Sequence, residues 1–426
     1  MKKNIDIILN YKKKIKKISI DTTKSLLCFF SSSKASLGYF NFLRISDKKY
    51  FLKFTYSYLR NLFKIFNQDE YILKNNGKKK TFDKLFVTWA FKKDFDSKGN
   101  FINKHYFLNS SKYKKILWFI ILMEDKAPKN ISSNILLLKK TNTPIKKKCL
   151  FFIKNLIATL VKTKFNYKKF FHYFNSELNF SNIILNKLNR TVNFKNLNEI
   201  IIPYESQIFQ NQIFQNAKLY NNKIKNSAYV YYTHPFPKEL LFNQLNKIDN
   251  LYVFNLSQKK LLIKNLNWPK KKIKFIKNKD KDKTIFKNLK NKVFLPYYFD
   301  NINEIVRLFK LCLLDNYNKI NLNKLTIQPH PAPYNKNKQD LLIKNLFEVI
   351  KNYKNNKINY SKNISIVIGL TSLPINLLKN NINFLHISND IENEIFSNLY
   401  WNNLEPKKLN NNVYSYKKKN YNRQNF

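Results

Sequence analysis

Short apolar runs alternate along this chain with amphipathic stretches, and from residue 84 onward the alternation predicts strands and helices in turn. Lys84–Ala90 (KLFVTWA) predicts a strand, the polar Asp94–Asn100 (DFDSKGN) a loop, and the apolar run ending at Met123 a second strand-bearing segment. Asn198–Ile202 predicts a strand stopped by Pro203. Glu205–Leu219 then predicts a helix leading into the strand Ala228–Tyr232, which the two prolines of His234–Pro237 close. After the strand Leu251–Phe254, Ser257 is the candidate N-cap of the helix Gln258–Leu266, and Pro269 separates that helix from the strand Ile273–Ile276.

The lysine-rich stretch Lys277–Lys292 has no apolar periodicity and marks a domain boundary. Beyond it the strand Val293–Tyr297, the helix Asn303–Leu314, the strand Lys324–Gln328, the helix Leu341–Tyr353, the strand Ile364–Ile368, a helix from Leu373 and the strand Phe384–Ile387 repeat the alternation. Strands alternating with helices imply parallel sheets. The expected fold class is α/β, with two Rossmann-like lobes whose parallel sheets face an interlobe cleft. The expected divisions are a poorly specified basic segment over 1–80, an N-terminal lobe over 81–285, a C-terminal lobe over 286–400 and a frayed basic tail over 401–426.

Charge complicates this reading. The chain of 426 residues carries 79 Lys and Arg against 26 Asp and Glu, a net charge of +53. Such an excess ordinarily points to nucleic acid or an anionic membrane. The cations are nearly all Lys, however, and are spread from end to end beside abundant Asn, Ile, Phe and Tyr. A compositional drift explains that spread better than a nucleic-acid footprint, which concentrates charge and favours Arg. No specific nucleic-acid partner is expected, although a basic nucleic-acid-binding protein stays open as a rival class. A hydrophobic content of 44% is enough for two cores. The longest apolar run, Ile116–Met123, falls short of the roughly 20 residues of a membrane span. The expectation is a cytoplasmic protein, with peripheral contact at an anionic inner membrane face as a further hypothesis. Cys28, Cys149 and Cys312 are scattered and read as small hydrophobes rather than a disulfide or metal set.

Three segments carry candidate chemistry. In Ile366–Ser372 (IVIGLTS) a buried strand runs into Gly369, then Thr371 and Ser372 open a helix, a pattern suited to holding phosphate on free N–H groups and hydroxyls. An ordinary strand–turn–helix junction capped by Ser372 is the alternative. In Gln328–Pro331 (QPHP) two prolines fix the loop that presents His330 at the carboxyl end of a strand, where open α/β sheets bind ligands. In the first lobe, Tyr204 and Glu205 follow a strand and His234 follows another. Glu205 is a candidate general base, or a helix-capping acid. Asp94, Asp96 and Gly99 superficially match a calcium loop but lack its downstream Glu, so no metal is expected.

The order of these motifs, from the tryptophan-containing Val87–Phe107 through YESQIFQ at Tyr204, YYTHPFP, QPHP, GLTS and FLHI, resembles the bacterial surface-carbohydrate biosynthesis glycosyltransferases of GT-B fold, relatives of capsule and sialyltransferase-like enzymes. The resemblance spans about residues 84–400. It implies a transferase that moves a sugar from a nucleotide-activated donor to a surface polysaccharide or lipopolysaccharide precursor, without a cofactor or metal. It assigns His330, Pro331, Gly369, Thr371 and Ser372 to the donor phosphate, Glu205 and His330 to catalysis, and Tyr204 and His234 to the acceptor side. Ser206 stands where the related motif has Asn, and Asn376 where related enzymes often carry Glu. A polyol-phosphate transferase, a nucleotide-sugar epimerase and a noncatalytic scaffold are the alternatives.

Overall fold

The structure, a computed structural model, describes residues 58–74, 82–102, 116–166, 169–170, 173–205, 207–230, 233, 248–276, 289–299, 301–316, 319–331, 333, 335–354, 363–388, 394–398, 401, 403–410 and 412–418. Two sheets dominate it. The first begins with helix α1 (residues 58–66) and strand β1 (Tyr71–Lys74), followed by β2 (Lys84–Ala90), β3 (Ile116–Leu122) and β4 (Ile135–Lys140). Helices α2 (Ile145–Lys162) and α3 (Ser176–Thr191) lead to β5 (Glu199–Pro203), α4 (Ile208–Tyr220), β6 (Lys225–Val230), β7 (Asn250–Val253), α5 (Leu256–Leu266) and β8 (Ile273–Phe275). These eight strands lie in the order β1-β4-β3-β2-β5-β6-β7-β8, all parallel except β1 at one edge. Strands β3 and β4 are apolar on both faces, as burial beneath covering layers requires.

The second sheet contains β9 (Lys292–Phe294), α6 (Ile302–Asn316), β10 (Thr326–Gln328), α7 (Lys336–Lys354), β11 (Ser365–Ile368), α8 (Leu373–Lys379) and β12 (Phe384–Ile387), then β13 (Leu404–Asn410) and β14 (Val413–Lys418). Its order is β10-β9-β11-β12-β14-β13, with the first four strands parallel and the last two joined on as an antiparallel hairpin. Helix α6 buries Ile305, Leu308, Phe309 and Cys312, the spacing of one helical face, against Leu342, Leu346 and Val349 of α7 and the strands. Each sheet has its own apolar core.

Two expectations need correction. The segment expected to fray over 401–426 instead forms β13 and β14 as far as Lys418, with Trp401, Leu404 and Val413 buried. Its exposed positions include Lys407, Lys408, Asn410 and Lys417, so the apolar anchors are sparse in sequence yet sufficient to dock a hairpin. Helix α5 is capped by Asn255, not Ser257: the Asn255 side chain accepts the N–H groups of Ser257 and Gln258 at 2.8 and 3.2 Å. Cys312 is a buried hydrophobe whose thiol is pushed up to about 12 by that burial, Cys149 is half-buried, and Cys28 lies outside the described residues. No described helix is long and apolar enough to cross a membrane.

Candidate functional site

The strand orders locate the candidate site. In the first sheet the chain steps outward from β2 through β3 and β4, then returns to place β5 on the other side of β2. In the second it steps from β9 to β10 and returns to place β11 on the other side of β9. At such a reversal the loops leaving adjacent strands diverge and open a crevice at the carboxyl edge, where α/β sheets bind ligands. Gly369, Thr371 and Ser372 follow β11, and Tyr204 and Glu205 follow β5, so the candidates of both segments stand at the two reversals.

In the second sheet three loops meet. Gly369 adopts φ +68°, and a Cβ built there would lie 3.3 Å from the Pro296 side chain in the loop after β9. A side chain is therefore strained by the backbone conformation and tightly placed against Pro296, and the glycine lets the two loops close on one another. The next loop joins through Tyr297, whose ring meets that of His330 edge-on at 5.5 Å between centroids. His330 is half-buried and Pro331 exposed. Thr371 Oγ1 accepts the Leu373 N–H at 3.2 Å, so Thr371 stabilises the start of α8 where Ser372 was the expected cap. The half-buried Ser372 makes no capping hydrogen bond. Sequence reasoning missed Glu394, whose Oε1 lies 3.6 Å from that same Cβ position. A carboxylate there suits sugar hydroxyls rather than phosphate, because it only accepts hydrogen bonds.

Beneath this turn sits a buried network that no motif announced. The Gly369 N–H donates to the Ile387 carbonyl at 2.8 Å, and His386 Nε2 donates to the Gly369 carbonyl at 2.8 Å. Because a carbonyl only accepts, Nε2 holds the proton and Nδ1 accepts from the Tyr416 hydroxyl at 2.9 Å, which itself accepts the Phe396 N–H at 3.3 Å. Burial pushes the His386 imidazole down to about 4, against the opposing pull of the Gly369 carbonyl, so the ring is neutral at ordinary pH. The hairpin strand β14 thus fixes the glycine turn through one histidine.

The first sheet builds its crevice from side chains. Tyr204 is fully buried and its hydroxyl donates to Asn211 Oδ1 at 2.7 Å, so it supports the loop from within the core. The buried Gln210 ties the turn: its Nε2 donates to the Pro203 carbonyl at 2.7 Å, and its Oε1 accepts the N–H groups of Glu205 and Gln207 at 2.9 and 3.1 Å. The half-buried Glu205 accepts from Gln207 Nε2 at 2.8 Å, which orients its carboxylate. Gln207 in turn lines a cavity of about 420 Å³ with Trp89, Phe180, Lys64, Glu124 and Glu177. Burial raises the Glu177 carboxyl above its ordinary value, with Lys64 pulling the other way. Glu177 was not singled out by sequence, where it is one acid opening a helix. An aromatic wall beside carboxylates and carboxamides is a surface suited to sugar rings and hydroxyls. His234 lies outside the described residues. In the supposed calcium loop, Asp94 Oδ2 accepts the Phe91 N–H and Asp96 accepts the backbone and side-chain N–H groups of Asn100, so both carboxylates hold the loop's own shape.

No protein-family model matches this chain, and no curated protein matches it. Among solved structures it is similar to a glycosyltransferase from Rickettsia africae ESF-5, at 12% identity over 73% of this chain and 86% of that one, with a TM-score of 0.33. A superposition at that score does not establish a common fold, and the functional reading rests on the two crevices themselves.

Proposed function

We propose that the protein is a glycosyltransferase that moves a sugar from a nucleotide-activated donor to a surface polysaccharide or lipopolysaccharide precursor, in a GT-B-like arrangement of two Rossmann-like lobes. The observation that carries this reading is the convergence of the loops after β9, β10 and β11 on the Gly369 turn at the strand-order reversal of the second sheet. The order of motifs described above supports it independently. The donor diphosphate or phosphate lies across Gly369, Thr371 and Ser372, with His330 and Pro331 forming the opposite wall and Glu394 accepting hydroxyls of ribose or sugar. His330 stabilises charge on the leaving phosphate, as cation or neutral donor. The acceptor enters the first-sheet cavity against Trp89, and Glu205 takes the proton of its attacking hydroxyl as the new glycosidic bond forms and the sugar–phosphate bond breaks. No metal takes part in this scheme.

The test supplies a panel of nucleotide sugars with lipid-linked or oligosaccharide acceptors and measures free nucleotide and glycosylated product together. The reading expects acceptor-dependent nucleotide release from one donor class, abolished in Glu205→Gln and His330→Ala. A product carrying phosphate would favour the polyol-phosphate transferase; an isomerised donor with no transfer would favour the epimerase.

A further inference from the structure

Helix α2 is anchored on one side and bare on the other. On the anchored side the Phe152 ring meets those of Phe66 and Phe174 edge-on, at 5.9 and 5.7 Å, and Lys148 pairs with Asp69 at 2.8 Å. Burial pushes Asp69 up, but Lys140, Lys148 and the Thr143 N–H outweigh it and hold the carboxyl below its ordinary value. None of the helix's 18 residues is fully buried. On the far side Leu150, Ile153, Ile157 and Val161 are 54, 50, 56 and 64% exposed, and their three- and four-residue spacing makes one continuous row. Phe165, 74% exposed, extends the row past the helix end. It is held there by two consecutive left-handed residues, Lys164 and Phe165, with φ of 51 and 54°, a conformation that costs energy in a bulky residue.

The charges beside the row have one sign. Lys146, Lys147 and Lys154 are exposed along it, and no Asp or Glu occurs in the sequence between Asp125 and Glu177. We infer that α2, with Phe165, is an interfacial helix that lies on an anionic lipid surface, its apolar row in the headgroup boundary and its lysines on the phosphates. Such a surface meets both features at once: apolar burial without a shape-matched groove, and negative charge on either flank. The inference stands on this helix alone and is independent of the sugar-transfer reading.

The experiment is co-sedimentation of the full chain with vesicles of phosphatidylglycerol and phosphatidylcholine, and with pure phosphatidylcholine, at low and high salt. Because a chain of this net charge binds anionic surfaces through any lysine, the decisive comparison is at high salt, where screening removes the unspecific part. A variant with Ser at Leu150, Ile153, Ile157 and Val161 changes only exposed positions and is expected to lose about tenfold or more of the salt-resistant partition. Lys146→Gln, Lys147→Gln and Lys154→Gln together are expected to remove the preference for anionic over neutral vesicles that remains at high salt. Circular dichroism of both variants checks that the helix persists. Equal partition of wild type and Ser variant at high salt overturns the inference. So does a wild type that ignores vesicles while sedimenting as a dimer that the Ser variant dissociates, which makes the row a contact between copies. Wild type that ignores vesicles as a monomer overturns it as well.

Discussion

The two crevices occupy the same place in two sheets and are built differently. At the second sheet the crevice is shaped by its turn: a glycine at φ +68°, a proline side chain 3.3 Å from where a Cβ would lie, and a histidine between prolines. At the first sheet the walls are side chains, with Gln207, Gln210 and Asn211 holding the turn that carries Glu205 beside a cavity lined by Trp89 and Glu177. A glycine turn that takes no larger residue without strain suits a phosphate, which every donor of one class shares. Side chains suit a variable partner, because they can be exchanged without refolding the turn. On the proposed reading the donor takes the second crevice and the acceptor the first, and each of the following changes probes that division.

The largest effect is expected from Glu205→Gln, which keeps the Gln207 contact but removes the base. Turnover should fall by about 10²–10⁴ with nucleotide affinity unchanged. Glu177→Gln should leave turnover within about tenfold and mainly alter acceptor KM. If steady-state kinetics show the larger loss in Glu177→Gln, the base is misassigned. Next comes a stability effect confined to the second crevice. His386 is neutral in the fold, with its pKa near 4, and an unfolded chain protonates it near the ordinary 6.5. The folded state therefore keeps its full advantage above pH 6.5 and loses about 3 kcal/mol as pH falls from 6.5 to 4. Denaturant titrations across that range should show a steeper loss in wild type than in His386→Gln, the difference being the histidine's share.

Gly369→Val should weaken nucleotide binding by about 100-fold, since a β-branched residue at positive φ costs roughly 1–3 kcal/mol before it meets Pro296. Calorimetry giving wild-type affinity would remove the glycine turn from the donor site. Gln210→Ala should lower stability by about 1–3 kcal/mol, because it strands the buried Pro203 carbonyl and the half-buried N–H groups of Glu205 and Gln207. The smallest stability effects separate two hydroxyls: Thr371→Ala should lose about 1 kcal/mol with its cap, and Ser372→Ala less than about 0.5 kcal/mol, so any loss of nucleotide affinity in the latter is a direct effect.

Strands β2, β3, β5 to β8 and β9 to β12 were legible as short apolar runs between turn signals, whereas β4, α2 and α3, between Met123 and Asn198, were not read; Gly369 stands out in a chain with four glycines. The site's supports were not legible. His386 lies in the apolar run FLHI and looks like any strand residue until its partners, 17 and 30 residues away, are known. The hairpin of β13 and β14 was hidden because most of its exposed positions carry the Lys and Asn that fill the whole chain. The same abundance masked Asn255, since a capping Asn carries no signal where Asn is everywhere. Glu394 and Glu177 reach their crevices through folding alone.

The most direct test of the donor crevice is a thermal-shift panel of CMP, UDP, GDP and CDP against wild type and His330→Ala at low and high salt. Binding to the folded state raises the midpoint with the logarithm of one plus the ratio of ligand concentration to Kd, and salt removes adventitious attraction to a basic surface. A shift from one nucleotide class that survives high salt and is lost in His330→Ala is the predicted result. No salt-resistant shift from any nucleotide, or one that His330→Ala leaves intact, would contradict the assignment.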